Sequence, residues 1–208
     1  MNKILHFSEK DKALNRKLYD EYFEQFHWVD GWDLGSKYDN FERMVYLADL
    51  TGFPISGASC LDVGCGTGDL SLFLRKRGCR RYLGLDIYEP ALNQAREKYA
   101  DELFIEGDLL AGTVKGHFDY VFASGMLTIK LETIDNYDFL TSMVDKMWKL
   151  SRVGIVFNIL TTDPEPDPDL FFYDTELVFA ICRKIAPKAF IEIIANEDKE
   201  QAHFYMWR

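Results

Sequence analysis

The sequence predicts an α/β fold built on an open, mostly parallel sheet that ends in an antiparallel hairpin. Three observations predict it. Cys60-Leu-Asp-Val-Gly-Cys-Gly-Thr-Gly-Asp69 reads as a buried strand, a turn with three glycines and the start of a helix. Two further apolar segments end in carboxylates, Asp86 lying 24 residues after Asp62 and Asp108 another 22 beyond. Those intervals suit a strand, a crossover helix and a parallel return strand. Near the C-terminus, two apolar segments are joined by a polar link too short for a parallel crossover, which implies a hairpin.

Two helices are expected before the glycine turn. Leu14, Leu18, Tyr22 and Phe26 recur every four residues and predict one from about Glu9 to His27. Phe41, Val45 and Ala48 share a face of a second, from about Tyr38 to Leu50. The link His27-Trp-Val-Asp-Gly-Trp-Asp-Leu-Gly-Ser36 carries two tryptophans, a histidine and two aspartates. It reads either as part of a pocket or as a turn packed on the core.

At the turn, Gly64, Gly66 and Gly68 leave room for backbone N–H groups to approach a ligand, and the helix starting at Asp69 adds a favourable N-terminus. Leu70, Phe73 and Leu74 form that helix's apolar face, with Gly78 expected as its C-terminal cap. Tyr82–Ile87 is a second strand whose Asp86 is placed to accept hydrogen bonds from a ribose diol. Pro90 suits the first turn of the next helix, with Glu89 as its cap and Ala91, Leu92, Ala95 and Tyr99 as its stripe. Leu103–Asp108 is the third strand. Phe118–Ser124 is the fourth, its end Ser124-Gly125-Met126 facing the same crevice.

A helix over Asn136–Lys149 with Phe139, Met143, Val144 and Met147 inward leads to a fifth strand, Gly154–Leu160. The methionines and Trp148 read as core filling. Thr161-Thr-Asp-Pro-Glu-Pro-Asp-Pro-Asp169 is a stiff extended loop, either an acidic wall for a cationic substrate or, as we favour, a solvated spacer. A helix over Thr175–Ile185 capped by Asp174 precedes the hairpin strands Ala189–Ile194 and His203–Trp207.

The glycines run G-x-G-x-G with an acid two residues upstream, whereas dinucleotide folds use G-x-G-x-x-G. With Asp86, Asp108 and the strand-four motif in order, the chain resembles the class I S-adenosylmethionine-dependent methyltransferases. The resemblance implies a Rossmann-like seven-stranded sheet in the order 3-2-1-4-5-7-6, a terminal antiparallel hairpin and an N-terminal helical cap. It implies one domain over 1–208, with the cap in 1–52 and the cofactor-binding core in 58–208. The implied cofactor is S-adenosyl-L-methionine, held by Asp62, Gly64, Cys65, Gly66, Gly68, Asp86, Ile87, Asp108, Leu109 and Ser124. Asp108 would accept from the adenine amino group with Leu109 packed nearby, and Cys65 would act through its backbone. Gly-Trp-Asp-Leu-Gly-Ser, Ala-Ser-Gly-Met and Asp-Leu-Phe-Phe-Tyr-Asp resemble a bacterial group of small stand-alone methyltransferases, a likeness that transfers no acceptor.

Composition narrows the partners. A net charge of −10, from 24 basic and 34 acidic residues, argues against nucleic acid, which is bound by neutralising phosphates. The cluster Lys76-Arg77 with Arg80-Arg81 reads as a solvated helix end. No apolar run approaches the ~18–20 residues that span a bilayer and no signal-peptide pattern opens the chain, so a cytoplasmic protein is expected. The four cysteines form no C-x-x-C and read as reduced core residues without a metal.

Strand four carries Ala-Ser-Gly-Met, not the Asn/Asp-Pro-Pro-Tyr/Phe of enzymes that methylate nucleic-acid amino groups, and there is no Pro-Cys pair. A small-molecule acceptor is therefore expected, with O- and N-transfer both open. No motif names a general base; His27, Tyr22, Tyr38, Asp163 and Tyr173 are candidates by location. His6, His117 and His203 read as surface or structural groups and Lys130 as solvated. Two other classes compete. The glycine spacing and the hairpin count against an NAD-dependent oxidoreductase, and the intact run of glycines and acids against a non-catalytic cofactor-binding or adaptor protein. The oligomeric state is left open.

Overall fold

The computed structural model describes residues 8–26, 34–162, 167–196 and 200–208, without the side chains of 22–26 and 34–36. In chain order the elements are α1 (Glu9–Phe26), α2 (Leu34–Thr51), β1 (Ser59–Val63), α3 (Asp69–Lys76), β2 (Arg81–Asp86), α4 (Glu89–Lys98) and β3 (Leu103–Glu106). Then come β4 (Phe118–Ala123), α5 (Asn136–Leu150), β5 (Ser151–Leu160), α6 (Thr175–Ile185), β6 (Phe190–Ala195) and β7 (Gln201–Trp207). The strands form one seven-stranded sheet in the order β3-β2-β1-β4-β5-β7-β6, as expected. β3, β2, β1, β4 and β5 are parallel, and β7 runs antiparallel between β5 and β6.

The central strands are apolar on both faces because both are covered, the signature of a buried parallel sheet. On one face Leu61, Val63, Val121, Ile155 and Phe204 meet Phe139, Met143 and Met147 of α5 and Val178 of α6. On the other, Cys60, Tyr120, Phe122, Val156 and Tyr205 meet Met44 and Leu47 of α2, Leu70 and Phe73 of α3, and Leu92 and Ala95 of α4. Period-two alternation along each strand feeds these two layers. Among the described residues no helix is long and apolar enough to cross a membrane.

Local chemistry sets the ends. Gly78, at φ +82°, closes α3 in a Schellman arrangement: its N–H donates to Arg75 O at 2.9 Å and the Cys79 N–H to Leu74 O at 3.1 Å. Asp174 caps α6 through Leu177 N–H, as its position predicts. At α4 the expectation fails. Tyr88 occupies the N-cap without a side-chain bond, and Glu89 lies inside the first turn, paired to Arg96 at 2.8 Å. A carboxylate there faces the positive helix end without needing the cap position.

Other boundaries move as well. α2 begins at Leu34 where the sequence predicts Tyr38, with Gly35 in its first turn. β5 begins at Ser151, directly after α5, with Phe118 pairing Ser151 across a register shift. β3 stops at Glu106, so Asp108 lies beyond the strand. The four cysteines are free and buried. In the basic cluster Arg77 pairs with Glu42 and stacks on Phe73, while Arg80 and Arg81 are exposed.

Candidate cofactor and acceptor cleft

The C-terminal tips of β2, β1, β4 and β5, together with the start of β7 that pairs Gln201 with Leu160, line a single cleft. Its main part has a volume of ≈ 310 Å³, and a lobe of ≈ 60 Å³ shares Tyr19, Gly64, Asp86 and Met126 with it. Leu18 and Tyr19 of α1 and Lys37, Asn40 and Phe41 of α2 form its roof. α1 is held in place from both ends. Asp11 accepts from the Glu132 and Thr133 N–H groups at 2.9 and 3.2 Å, and Tyr19 stacks on Tyr88 with ring centroids 5.5 Å apart.

The glycine turn follows β1 with Gly64, Gly66 and Gly68 at φ +74°, +51° and +77°. Each glycine answers a different need. A Cβ on Gly64 would stand 2.6 Å from Met126 Cβ, so its absence lets the loop after β4 close in. A Cβ on Gly66 would meet no protein atom within 4 Å and would enter the cleft that Gly66 lines. Gly68 lines neither part of the cleft, contrary to the sequence assignment. A Cβ there would strike the Phe104 ring at 2.6 Å, so this glycine serves the packing of α3 on β3.

Asp86 fastens that turn to β2. Its Oδ2 accepts from Gly66 N–H at 2.8 Å and its Oδ1 from Tyr88 N–H at 2.9 Å, while the carboxylate lines both parts of the cleft. Burial raises its pKa, and the backbone donors oppose the rise. Asp62, 2% exposed, accepts from the Tyr82 hydroxyl at 2.7 Å. Burial pushes it up to about 7, with the Asp86 charge adding to the rise. Cys65 lines the cleft, and its thiol is held protonated by burial first and the Asp86 charge second.

The small lobe is apolar apart from two acids and an amide. Val63, Leu85, Ile87, Leu109, Phe139 and Met143 enclose it. Asp108 Oδ1 accepts from Leu110 N–H at 2.8 Å, whereas its buried Oδ2 has no partner among the described residues. Asn15 of α1, 7% exposed, also brings a buried unpartnered oxygen, Oδ1, to this lobe. Buried polar atoms are normally paired, so two bare acceptors on one small apolar wall fit a planar ligand with an amino group. Asn15, Tyr19 and Lys37 were missed in the sequence. Asn15 and Tyr19 sit on a helix far upstream of any motif, and nothing local sets them apart.

The other end lies over β4, β5 and β7. Ser124 lines it just past β4 and receives a hydrogen bond from Asn40 Nδ2 at 2.5 Å, and Asn40 Oδ1 lies 2.7 Å from His203 Nε2. His203 is fully buried, which confirms its structural place. Asn158 Oδ1 accepts from Gly125 N–H at 2.7 Å, and Asn158 Nδ2 donates to Gln201 Oε1 at 3.0 Å.

The general-base candidates do not gather here. Tyr173 is 2% exposed, packed against Tyr137 and Phe171 away from the cleft, with burial raising its pKa. Tyr38 is exposed and rests against Phe73. His27 and Asp163, with residues 28–33 of the aromatic link and 164–166 of the Pro-rich loop, lie outside the described residues, as does the Tyr22 side chain. Asp169, from the loop's described end, lines the cleft.

Sheet order, inserted β7 and a glycine-turn cleft define the class I methyltransferase architecture. Residues 60–147 match the family model described as a methyltransferase domain. That stretch carries the glycine turn, Asp86, Asp108 and Ser124, so the resemblance read from those residues is borne out. Among solved structures, magnesium protoporphyrin IX methyltransferase from Synechocystis PCC 6803 with bound SAH superposes with a TM-score of 0.72 at 16% identity, over 95% of this chain and 100% of that one. An S-adenosylmethionine-dependent methyltransferase from Clostridium acetobutylicum ATCC 824 gives 0.66 at 12% identity, over 92% and 97%. These likenesses carry the fold. In sequence, the ribosomal protein L11 methyltransferase of Thermotoga maritima is 34% identical over 101 residues, 47% of this chain and 38% of that protein. The malonyl-[acyl-carrier protein] O-methyltransferase of Pectobacterium atrosepticum is 43% identical over 54 residues, 26% of this chain and 21% of that protein. The matched stretches thus span well under half the length of these relatives.

Proposed function

We propose that this chain is an S-adenosylmethionine-dependent methyltransferase acting on a small-molecule acceptor. The observation that carries the reading is the bare Asp108 Oδ2 in an apolar lobe adjoining a carboxylate, Asp86, that already organises the glycine turn. An adenine amino group would satisfy Asp108 and the Asn15 oxygen, with Ile87 and Leu109 against the ring. A ribose diol would use the remaining lone pairs of Asp86, and Gly66 leaves the room a ligand chain needs. The methyl donor, when bound, supplies a methyl group on a positively charged sulfur. The protein's part is to hold donor and acceptor in line and to exclude water. The roof formed by α1 and α2 supports a small acceptor over a folded macromolecule.

Calorimetry with S-adenosylhomocysteine tests the reading directly, with NAD as the competing ligand. Saturable binding of the first and none of the second is expected. NAD binding alone would point to an oxidoreductase, and binding without methyl transfer to any acceptor would point to a non-catalytic binding protein. Because relatives include a protein methyltransferase, transfer of labelled methyl from S-adenosylmethionine to ribosomal protein L11 would overturn the small-molecule assignment.

A further inference from the structure

At the end of the cleft over β4, β5 and β7, a backbone donor fixes the polarity of one hydrogen-bond chain. The Gly125 N–H only donates, so the Asn158 atom 2.7 Å from it is the amide oxygen. Asn158 then turns Nδ2 toward Gln201, whose facing atom at 3.0 Å must be its oxygen. Gln201 lines the cleft, and with Oε1 held by Asn158 the free end of its amide is Nε2, a donor.

A second chain ends the same way. His203 is fully buried, and burial lowers its pKa to about 4, so the ring is neutral. Its Nδ1 has no partner among the described residues. A proton on Nε2 leaves a bare lone pair at Nδ1, whereas the other tautomer would bury an unpaired N–H, the rarer and costlier state. His203 therefore donates to Asn40 Oδ1, and Asn40 donates through Nδ2 to Ser124 Oγ. Ser124 Oγ is thus occupied as an acceptor, and its own hydrogen is left for the cleft it lines.

We propose that Ser124 O–H and Gln201 N–H form a donor pair for an oxygen acceptor, a carboxylate or phenolate, so that the reaction is O-methylation. This rests on the methyltransferase reading above. A lone pair of the acceptor oxygen forms the new O–CH3 bond as the C–S bond breaks, and the electrons of that bond remain on sulfur as a neutral thioether. A carboxylate arrives without a proton and needs no base, whereas a phenol, with a pKa of ~10, reacts through its ionised fraction and leaves its proton in bulk water. An amine offers its lone pair only when neutral and would present its own N–H groups to the two donors. Asn158, Asn40 and His203 act as positioning residues through Gln201 and Ser124.

Tritium-labelled S-adenosylmethionine and the full chain, offered phenylacetate, para-cresol and benzylamine, test the proposal. Label is expected on phenylacetate or para-cresol, base-labile as an ester in the first and stable as an ether in the second. Gln201→Glu keeps an oxygen facing Asn158 while replacing the donor, and should cut that transfer about tenfold or more. S-adenosylhomocysteine affinity should stay within about twofold. Ser124→Ala should lower the rate in the same direction. Label on benzylamine alone, unchanged transfer in Gln201→Glu, or no label on either oxygen compound while S-adenosylhomocysteine still binds would each overturn it. Absence of S-adenosylhomocysteine binding would instead overturn the methyltransferase reading beneath it.

Discussion

The two ends of the cleft are built from different materials. The end proposed for the nucleoside rests on backbone geometry and carboxylates: Gly64 and Gly66 at positive φ, Asp86 clamping Gly66 and Tyr88, and Asp108 beside an apolar lobe. The end proposed for the acceptor rests on neutral side chains joined by hydrogen bonds, Asn40 of α2, Ser124 after β4, Asn158 of β5, and Gln201 and His203 of β7. A ligand common to a whole family is met by parts that any loop can supply. On the proposed reading, a particular acceptor is met by side chains whose polarity depends on a third or fourth residue behind them.

Gly66→Ala and Gly64→Ala separate space from packing within the first end, and should show the largest effects. At Gly66 the added methyl meets only the cleft, so stability should fall by about 1 kcal/mol for the positive φ while S-adenosylhomocysteine affinity falls about a hundredfold. At Gly64 the methyl stands 2.6 Å from Met126 Cβ, so stability should fall by roughly 1–3 kcal/mol. Denaturant titration and calorimetry on both variants read the two quantities. Equal binding losses with equal stabilities would mean that Gly66 faces no ligand.

Asp86→Ala comes next. From the strand-tip position alone one expects lost affinity with an intact fold. The bonds to Gly66 and Tyr88 N–H change that expectation, because alanine strips both of their acceptor. Affinity for S-adenosylhomocysteine should drop about tenfold or more, as for any lost bond to a charged group of ~1.5–3 kcal/mol, and Tm should drop with it. Unchanged affinity in calorimetry would remove Asp86 from the ribose.

These contrasts also explain what could be read in advance. Asp62, the glycines, Asp86 and Asp108 lie within one continuous run of β-α-β units, where spacing alone places them at adjacent parallel tips. The strand order and β7's insertion beside β5 came from the family resemblance those residues carry, while the short link before Gln201 predicted only an antiparallel hairpin. Asn15, Asn40, Asn158 and Gln201 were not legible. Asparagine on a helix or strand has many ordinary uses, and only contacts across 84 residues, as between Asn40 and Ser124, give it a function. Tyr173 failed as a base for the converse reason. Its place near a strand tip in sequence says nothing about its side chain, which turns into the α5 core beside Tyr137.

The same comparison appears in pH dependence, where the two ends carry opposite signs. Asp62 titrates near 7 when folded and near ~3.9 when unfolded, so between those values the folded chain keeps a proton that the unfolded chain has lost. Its contribution to stability therefore declines as pH rises from about 4 to about 7. His203 titrates near 4 when folded and near ~6.5 when unfolded, so its contribution declines as pH falls from about 6.5 to about 4. Asp62→Asn keeps an acceptor for the Tyr82 hydroxyl while removing the first dependence. Its Tm should match the parent near pH 4 and exceed it by a few degrees near pH 7. A difference that does not vary with pH would return Asp62 to an ordinary carboxylate.

The smallest expected effect is the most diagnostic, because two of its readouts move in opposite directions. Asn15 sits on α1, outside the matched domain, yet its buried bare oxygen faces the lobe that Asp108 faces. In the free protein that oxygen is a cost, so Asn15→Leu should raise stability by a few tenths of a kcal/mol up to about 1. In the complex the same oxygen would take the second hydrogen of an adenine amino group. The variant should therefore bind S-adenosylhomocysteine about three- to tenfold more weakly, for a bond of ~0.5–1.5 kcal/mol. It should bind S-inosylhomocysteine, which has a carbonyl in place of that amino group, no worse than the parent does. A purely structural asparagine would lose stability and leave the two ligands in their original ratio. Higher stability with weaker, less base-selective binding follows only if the cap helix takes part in reading the base.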